Sequence, residues 1–171
     1  MVEVIEPIYS QDDEAAMRAA LEQAMLAYGV GEVPVGAVVL DANGEVIGRG
    51  FNRTIIDHDP SSHAEIVALR QAATAMNNYR LPGASLFVTL EPCVMCMGAM
   101  LHARVGRVVY GATDPKTGAC GSVLSVHSYP QLNHQTSVTG GLLATECGDL
   151  LRQFFRERRA KGKAKADCSC S

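Results

Sequence analysis

Two short stretches of this 171-residue chain hold residues that could do chemistry together. In HDPSSHAE, His63 and Glu65 stand two apart. In LEPCVMC, an apolar run ends in Glu-Pro, and the thiols of Cys93 and Cys96 follow at i and i+3. Residues three apart share a helix face, so both thiols can address one ion. Cys93 follows Pro92 at the expected start of a helix. Free N–H groups and the positive end of the helix dipole there favour thiolate, the metal-binding form. Two thiolates do not complete a zinc site. His63, at the opening of another helix, is the best third donor. Three protein ligands with an open fourth position make the catalytic pattern, whereas a structural zinc has four. Glu65 then fits as a carboxylate beside the metal rather than on it. It could take a proton from a metal-bound water, whose pKa zinc lowers to about 7, and return it to a leaving group.

Each residue also has a plainer use. Glu65 and Ser62 satisfy Ser-x-x-Glu, a helix-capping pattern. His63 alone could be a surface or capping residue. Cys93 and Cys96 could form a redox pair, although Val94 and Met95 replace the Gly-Pro interior usual there. What favours chemistry is the conjunction of His-x-Glu with Pro-Cys-x-x-Cys at the entrances of two helices.

The flanking text supplies elements to position them. Ser10 and Asp13 read as a capping box, followed by Met17, Leu21, Ala24, Met25 and Tyr28 at helical spacing, with Gly29 and Gly31 as the stop. VGAVVL (35–40) and EVIGRG (45–50) flank the turn Asp41–Gly44 and form a hairpin. A polar loop over 52–60 leads to a helix from about His63 to Met76, capped by Ser61 or Ser62. SLFVTL (85–90) and RVVYGA (107–112) are further strands, separated by a short helix from Cys93 to about Arg104. The last helix follows Gly140-Gly141 and runs through Arg159. Alternating strands and helices predict an α/β layered domain with helices covering a mostly parallel sheet. The domain spans 1–160, and the low-complexity segment 161–171 is expected to be a disordered tail.

Composition narrows the class. Apolar residues make up 47% of the chain, enough for a core, while Trp is absent, so packing falls to Val, Leu, Ile, Met and Ala. No apolar run reaches the roughly 18 residues of a membrane span. The acidic start MVEVIEPIYSQDDE lacks the features of a signal peptide. The expected location is cytoplasmic, where six cysteines point to thiols and metal rather than disulfides. The net charge of −3 hides an asymmetry: residues 1–65 hold twelve acids and three bases, and residues 152–167 hold seven bases and two acids. The basic stretch is a candidate phosphate-contacting surface, or simply a solvated helix.

His-x-Glu with Pro-Cys-x-x-Cys is the known signature of the zinc nucleobase deaminases. The chain further resembles the bacterial-type tRNA-specific adenosine deaminases, within the cytidine and deoxycytidylate deaminase superfamily. The resemblance runs from about Asp12 to Arg159. It includes EVPVGAVVL, GFNRTIIDHDPSSHAEIVALRQA, NYRLPGASLFVTLEPCVMCMGAMLHARVGRVVYGA, DPKTGACGS, LNH and ECGDLLRQFFRERR.

That resemblance implies a three-layer α/β/α sandwich around a central mixed sheet of about five strands. It implies one Zn2+ per subunit on His63, Cys93 and Cys96, with Glu65 as proton shuttle. The implied reaction is hydrolytic deamination of adenosine to inosine at the tRNA wobble position by zinc-activated hydroxide. Asn52 falls where the family contacts the flipped base, and Asp114 in a loop near the nucleic-acid backbone. Phe154, Phe155 and the arginines after them, including Arg158, fall in a helix that borders the RNA. The implied partners are a tRNA anticodon stem-loop and a second copy of the chain, with no membrane. Thr113 departs from an arginine usual in the family, and Cys120 replaces a small residue. Cys168 and Cys170 lie outside the resemblance. Asp114 could instead cap its Asp-Pro turn, and His134 could make a structural hydrogen bond. His58, His102 and His127 are read as non-ligands.

Three other functions use the same residues. A deaminase of a free base or nucleoside, such as guanine or cytosine, would share the zinc chemistry. A non-enzymatic zinc module would have no need of Glu65. A thiol redox protein would hold no metal.

Overall fold

Ser10 and Asp13 form the capping box that their spacing predicts, and they start α1 (Gln11–Gly29). The structure, a computed structural model, describes residues 9–168. After α1 come β1 (Gly36–Leu40) and β2 (Val46–Phe51), joined by a turn. There the Asp41 carboxylate accepts from the N–H groups of Asn43 and Glu45 at 2.8 and 2.9 Å. Gly44 takes a positive φ of 84°, which glycine adopts without strain. The chain continues through α2 (Ala64–Ala75), β3 (Ser85–Leu90), α3 (Val94–His102), β4 (Arg107–Ala112), a 3-10 turn at Val126–Ser128, β5 (Ser137–Gly140) and α4 (Ala144–Cys168).

The five strands form one sheet in the order β2-β1-β3-β4-β5. β1 is antiparallel to both β2 and β3, while β3–β4 and β4–β5 are parallel. The sheet is therefore mixed, as the resemblance implies, and not mostly parallel as the alternation of elements suggested. The cause is the hairpin: it lays β1 between β2 and β3, so the β2–α2–β3 crossover passes over an antiparallel neighbour. β5 carries no sequence signal because it is four residues of Ser, Val, Thr and Gly at the sheet edge.

Period-two alternation divides the core in two. Ala37, Val39, Leu86, Val88 and Val108 face α2 and α3. Val38, Phe87 and Val109 face α1 and the start of α4. These are the three layers. Small residues set the spacing of α2: a Cβ on Gly48 or Gly50 would collide with the backbone of Ala64, Ala68 or Ala72. That close approach brings the first turn of α2 beside the end of β2.

α4 continues to Cys168, beyond the expected end near Arg159 and into the stretch expected to be a disordered tail. Ala160, Lys161, Lys163, Ala164 and Lys165 are strong helix formers, and Gly162 alone costs only about 1 kcal/mol. Cys170 lies outside the described residues. Among the described residues, no helix is long and apolar enough to cross a membrane.

Asp13 does more than cap. Arg107, opening β4, forks onto its carboxylate at 2.7 and 2.8 Å and ties α1 to the sheet. The Arg107 bond holds the Asp13 carboxyl below its ordinary range. A carboxyl depressed in the fold stabilises it above the unfolded pKa, and that contribution disappears as pH falls through the folded value. Arg107 is 37% exposed, so solvent screening limits the pair to about 1–2 kcal/mol. Asp13→Asn therefore lowers Tm by about 2–8 °C at pH 7. The gap from wild type narrows below about pH 4. Thermal melts of both proteins from pH 7 to 3 test this, and a gap constant across that range would refute it.

Candidate active site

The site forms where the carboxyl ends of β2, β3 and β4 meet the amino end of β1. Two helices begin there. His63 is the N-cap of α2 and Cys93 the N-cap of α3, both with extended backbone and neither making a side-chain cap bond. Their side chains are free to turn toward a common centre. The cap of α2 is thus His63, not Ser61 or Ser62. The Ser62 hydroxyl instead donates to Asp57 and Asp59 at 3.2 and 3.1 Å, so the Ser-x-x-Glu capping alternative is not realised. Cys96 enters from the first turn of α3, fully buried.

His63 Nδ1 lies 3.7 Å from Cys93 Sγ and 3.5 Å from Cys96 Sγ, and all three donor atoms fall within 4.8 Å of one another. A tetrahedron with Zn–S near 2.3 Å and Zn–N near 2.0–2.1 Å has N···S edges of about 3.6 Å. The donors are therefore already spaced as zinc requires. Among the described residues this is the only such cluster. The electrostatics agree. The hydrogen bond from Cys96, with that to His63, lowers the Cys93 thiol to about 4 despite burial. That same bond to Cys93, with burial, pushes the Cys96 thiol up. Hydrogen bonding to Cys93 raises His63. Burial raises the Glu65 carboxyl to about 7. Two thiolates and a carboxylate cannot all ionise in this pocket without a cation, and a zinc ion would supply that countercharge.

A cavity of about 200 Å³ opens over these groups, lined by Val33, Val35, Asn52, His63, Glu65 and Asp114 among others. It is smaller than the roughly 300–1,000 Å³ of drug-sized sites, which suits one small heterocycle such as a nucleobase. Asn52 Oδ1 accepts the N–H of Ala64 at 2.9 Å and so fastens the start of α2 to the end of β2. Asp114 lines the cavity and also caps its own turn, accepting from Lys116 N–H at 2.9 Å and from the N–H and hydroxyl of Thr117 at 3.2 and 2.7 Å. The turn-capping reading of Asp114 therefore holds.

Phe154 and Arg158 are not brought to this cavity. Phe154 is buried edge-on against Tyr28, with the Arg158 guanidinium 5.7 Å from its ring centre. They line a separate groove between α1 and α4 with Lys161. Phe155 is 40% exposed. The structural alternative holds for His134, which hydrogen-bonds the Val105 carbonyl at 2.8 Å. Burial pushes the Cys120 thiol up to about 12, consistent with a packing role.

Sequence reasoning missed two buried carboxylates. Glu32 accepts the N–H groups of Ile55 and Ile56, both at 2.8 Å, and shapes the loop after β2. Glu91 lies in the cavity wall. Burial would raise its carboxyl, but hydrogen bonds from Ser122, Asp114 and Cys120 outweigh burial and lower it. Its place in Glu-Pro-Cys, beside a candidate ligand, was the available signal.

Residues 10–112 match the family described as the cytidine and deoxycytidylate deaminase zinc-binding region. The tRNA-specific adenosine deaminase of Haemophilus influenzae is 49% identical over 156 residues, which cover 91% of this chain and 90% of that protein. A solved structure described in work on A-to-I editing by tRNA deaminases at the wobble position superposes with a TM-score of 0.77 at 44% identity. The match covers 80% of this chain and 99% of that one. The guanine deaminase of Nitrosomonas europaea superposes at 0.71 with 28% identity, covering 88% of each chain.

Proposed function

This chain belongs to the zinc-dependent deaminases and, within them, to the tRNA-specific adenosine deaminases, and from that premise we propose that it deaminates the wobble adenosine of a tRNA anticodon to inosine. The observation that carries the proposal is the convergence of His63, Cys93 and Cys96 beside a buried carboxylate that is not one of the three donors. His63, Cys93 and Cys96 would hold a zinc ion, which when bound would supply Lewis-acid chemistry and make water a stronger acid.

The rest is done by the chain. Glu65 takes a proton from the attacking water and passes it to a ring nitrogen, then takes the proton of the new C6 hydroxyl and passes it to the departing amine. Atoms balance: water is consumed, the C6–N bond breaks, a C6–O bond forms and ammonia leaves. Asn52 holds α2 through its oxygen and turns its amide toward the base. An adenosine in a loop leaves its stack more cheaply than a paired one, which suits a cavity sized for a single extruded nucleobase. The exposed bases of α4 and Phe155 border the RNA. The chain works as a homodimer. Supporting that reading is an apolar groove between α2 and α3, floored by the buried Ile66 and Leu69 and edged by Ala99 and the exposed Tyr79. We read the deaminase domain as one unit, and a tRNA substrate is consistent with a cytoplasmic location.

The test is inosine formation in a short anticodon stem-loop RNA bearing a wobble adenosine, with free adenosine, cytidine and guanine alongside. Protein of two-chain mass in light scattering is expected to form inosine in the RNA alone. Turnover of a free base with the RNA untouched would transfer the site to nucleobase salvage.

A further inference from the structure

The reaction as derived leaves one buried carboxylate of the site unused. Glu91 is 2% exposed and follows directly from β3. Its oxygens accept from Asp114 N–H at 3.0 Å, Cys120 N–H at 3.0 Å, Ser122 N–H at 3.1 Å and the Ser122 hydroxyl. One side chain thus gathers four donors from a single loop. The segment around it is stitched to the same loop. The Pro92 carbonyl accepts Ala119 N–H at 2.8 Å, and Cys93 bridges to Gly118. Any side chain at Gly118 would collide with the Glu91 carboxylate. The Glu91 N–H donates to the Ala112 carbonyl at 2.8 Å, at the end of β4.

The loop fastened from within faces the cavity from without. Asp114 and Thr117 line it, and Lys116, between them, is exposed. Asp114 commits both oxygens to the N–H groups and hydroxyl of its own turn, so it shapes the tip that carries Lys116. Asn52 and Asp114 follow β2 and β4, and β1 and β3 lie between those strands in the sheet. The loop is therefore a flank of the cavity, set by a carboxylate and offering a cation at its rim.

We propose that Glu91 is a positioning residue: it holds loop 114–122 so that Lys116 and Thr117 meet the sugar-phosphate backbone beside the target adenosine, and it thereby sets affinity for RNA. The inference rests on the tRNA-deaminase reading above. Phosphate contacts fix register and orientation and carry no chemistry of their own, so the effect falls on KM rather than on kcat.

The experiment is steady-state kinetics of the zinc-loaded full chain on the anticodon stem-loop, comparing wild type, Glu91→Gln, Ser122→Ala, Lys116→Ala and the Glu91→Gln/Lys116→Ala double variant. Glu91→Gln keeps one acceptor oxygen but presents an amide where Asp114 donates. It is expected to hold one zinc per chain and raise KM by about tenfold, the scale of one lost charge-assisted hydrogen bond, with kcat within about threefold. Ser122→Ala, which removes a single donor, moves KM the same way by less, and it carries the test if Glu91→Gln fails to fold. Lys116→Ala raises KM less in the Glu91→Gln background than in wild type, because the lysine is already misplaced there. An unchanged KM in both loop variants, a fall in kcat alone, or additive effects in the double variant would overturn the inference. Failure of the underlying reading shows separately: wild type itself would leave the RNA unedited.

Discussion

Glu65→Ala keeps one zinc per chain and loses wobble-inosine formation by about 10²–10⁴-fold, the usual contribution of a positioned proton-transfer group. Metal retention follows from the donor set, which is His63, Cys93 and Cys96 without this carboxylate. The fold is expected to survive because Glu65 sits in the first turn of α2, where alanine is the best helix former. Stability does not fall much either, since burial raises the carboxyl to about 7 and an ionised carboxylate there is held at a cost. Glu65→Gln keeps the shape and removes only the titrating group, so equal inactivity in the two variants separates proton transfer from packing. Metal analysis with the stem-loop assay decides it: stoichiometric zinc at an unchanged rate would remove Glu65 from the reaction.

The four residues at the centre were legible because their signals are local. His63 and Glu65 lie within one turn, Cys93 and Cys96 within another, and each pair opens a helix whose start is marked by loop chemistry. Asn52 and Asp114 were linked to substrate only through resemblance, although the Asp-Pro step itself marked Asp114 as a turn cap. Their structural roles, fastening α2 and shaping a loop tip, depend on Ala64, Lys116 and Thr117 coming within hydrogen-bond reach. The carboxylates of Glu32 and Glu91 were illegible for a stronger reason. Most of their partners are backbone N–H groups 23 to 31 residues away in the chain, and a backbone donor leaves no mark on composition or spacing.

The fold shows the same division. α1, the hairpin and the apolar strands announced themselves through caps, turn residues and runs of Val and Leu. β5 did not, because a strand of Ser137, Val138, Thr139 and Gly140 carries no apolar alternation and is recruited by its neighbour β4. Strand direction was likewise hidden: the hairpin is local, but that β3 pairs with β1 rather than with β2 is a contact distant in the chain and leaves no mark on spacing. Helix propensity, read over Ala160 to Lys165, would have extended α4 where low complexity argued for a tail.

Cys93→Ala binds no zinc at concentrations that saturate wild type and forms no inosine. Cys93 is the better thiol to remove. It caps α3 from the half-buried edge of the site, whereas Cys96 is fully buried and its truncation would add a core defect to the loss of a ligand. With two donors left, the loss exceeds the roughly 10–100-fold that a partner outside the ligand set costs. The same change removes the linkage between metal and fold. Free zinc at about 1,000 times Kd stabilises a protein that binds it only when folded by about 4.1 kcal/mol. In a chain of this size that is about 8–16 °C in Tm. A chelator should therefore lower the melting point of wild type by that amount and leave Cys93→Ala unmoved. The pH dependence has a definite sign. His63 and the thiols must give up protons to bind, and His63 is raised in the metal-free pocket by hydrogen bonding to Cys93, so affinity for zinc falls as pH falls. A Cys93→Ala protein that still carried one zinc per chain, or that still lost melting temperature to chelator, would place the metal elsewhere than on these three donors.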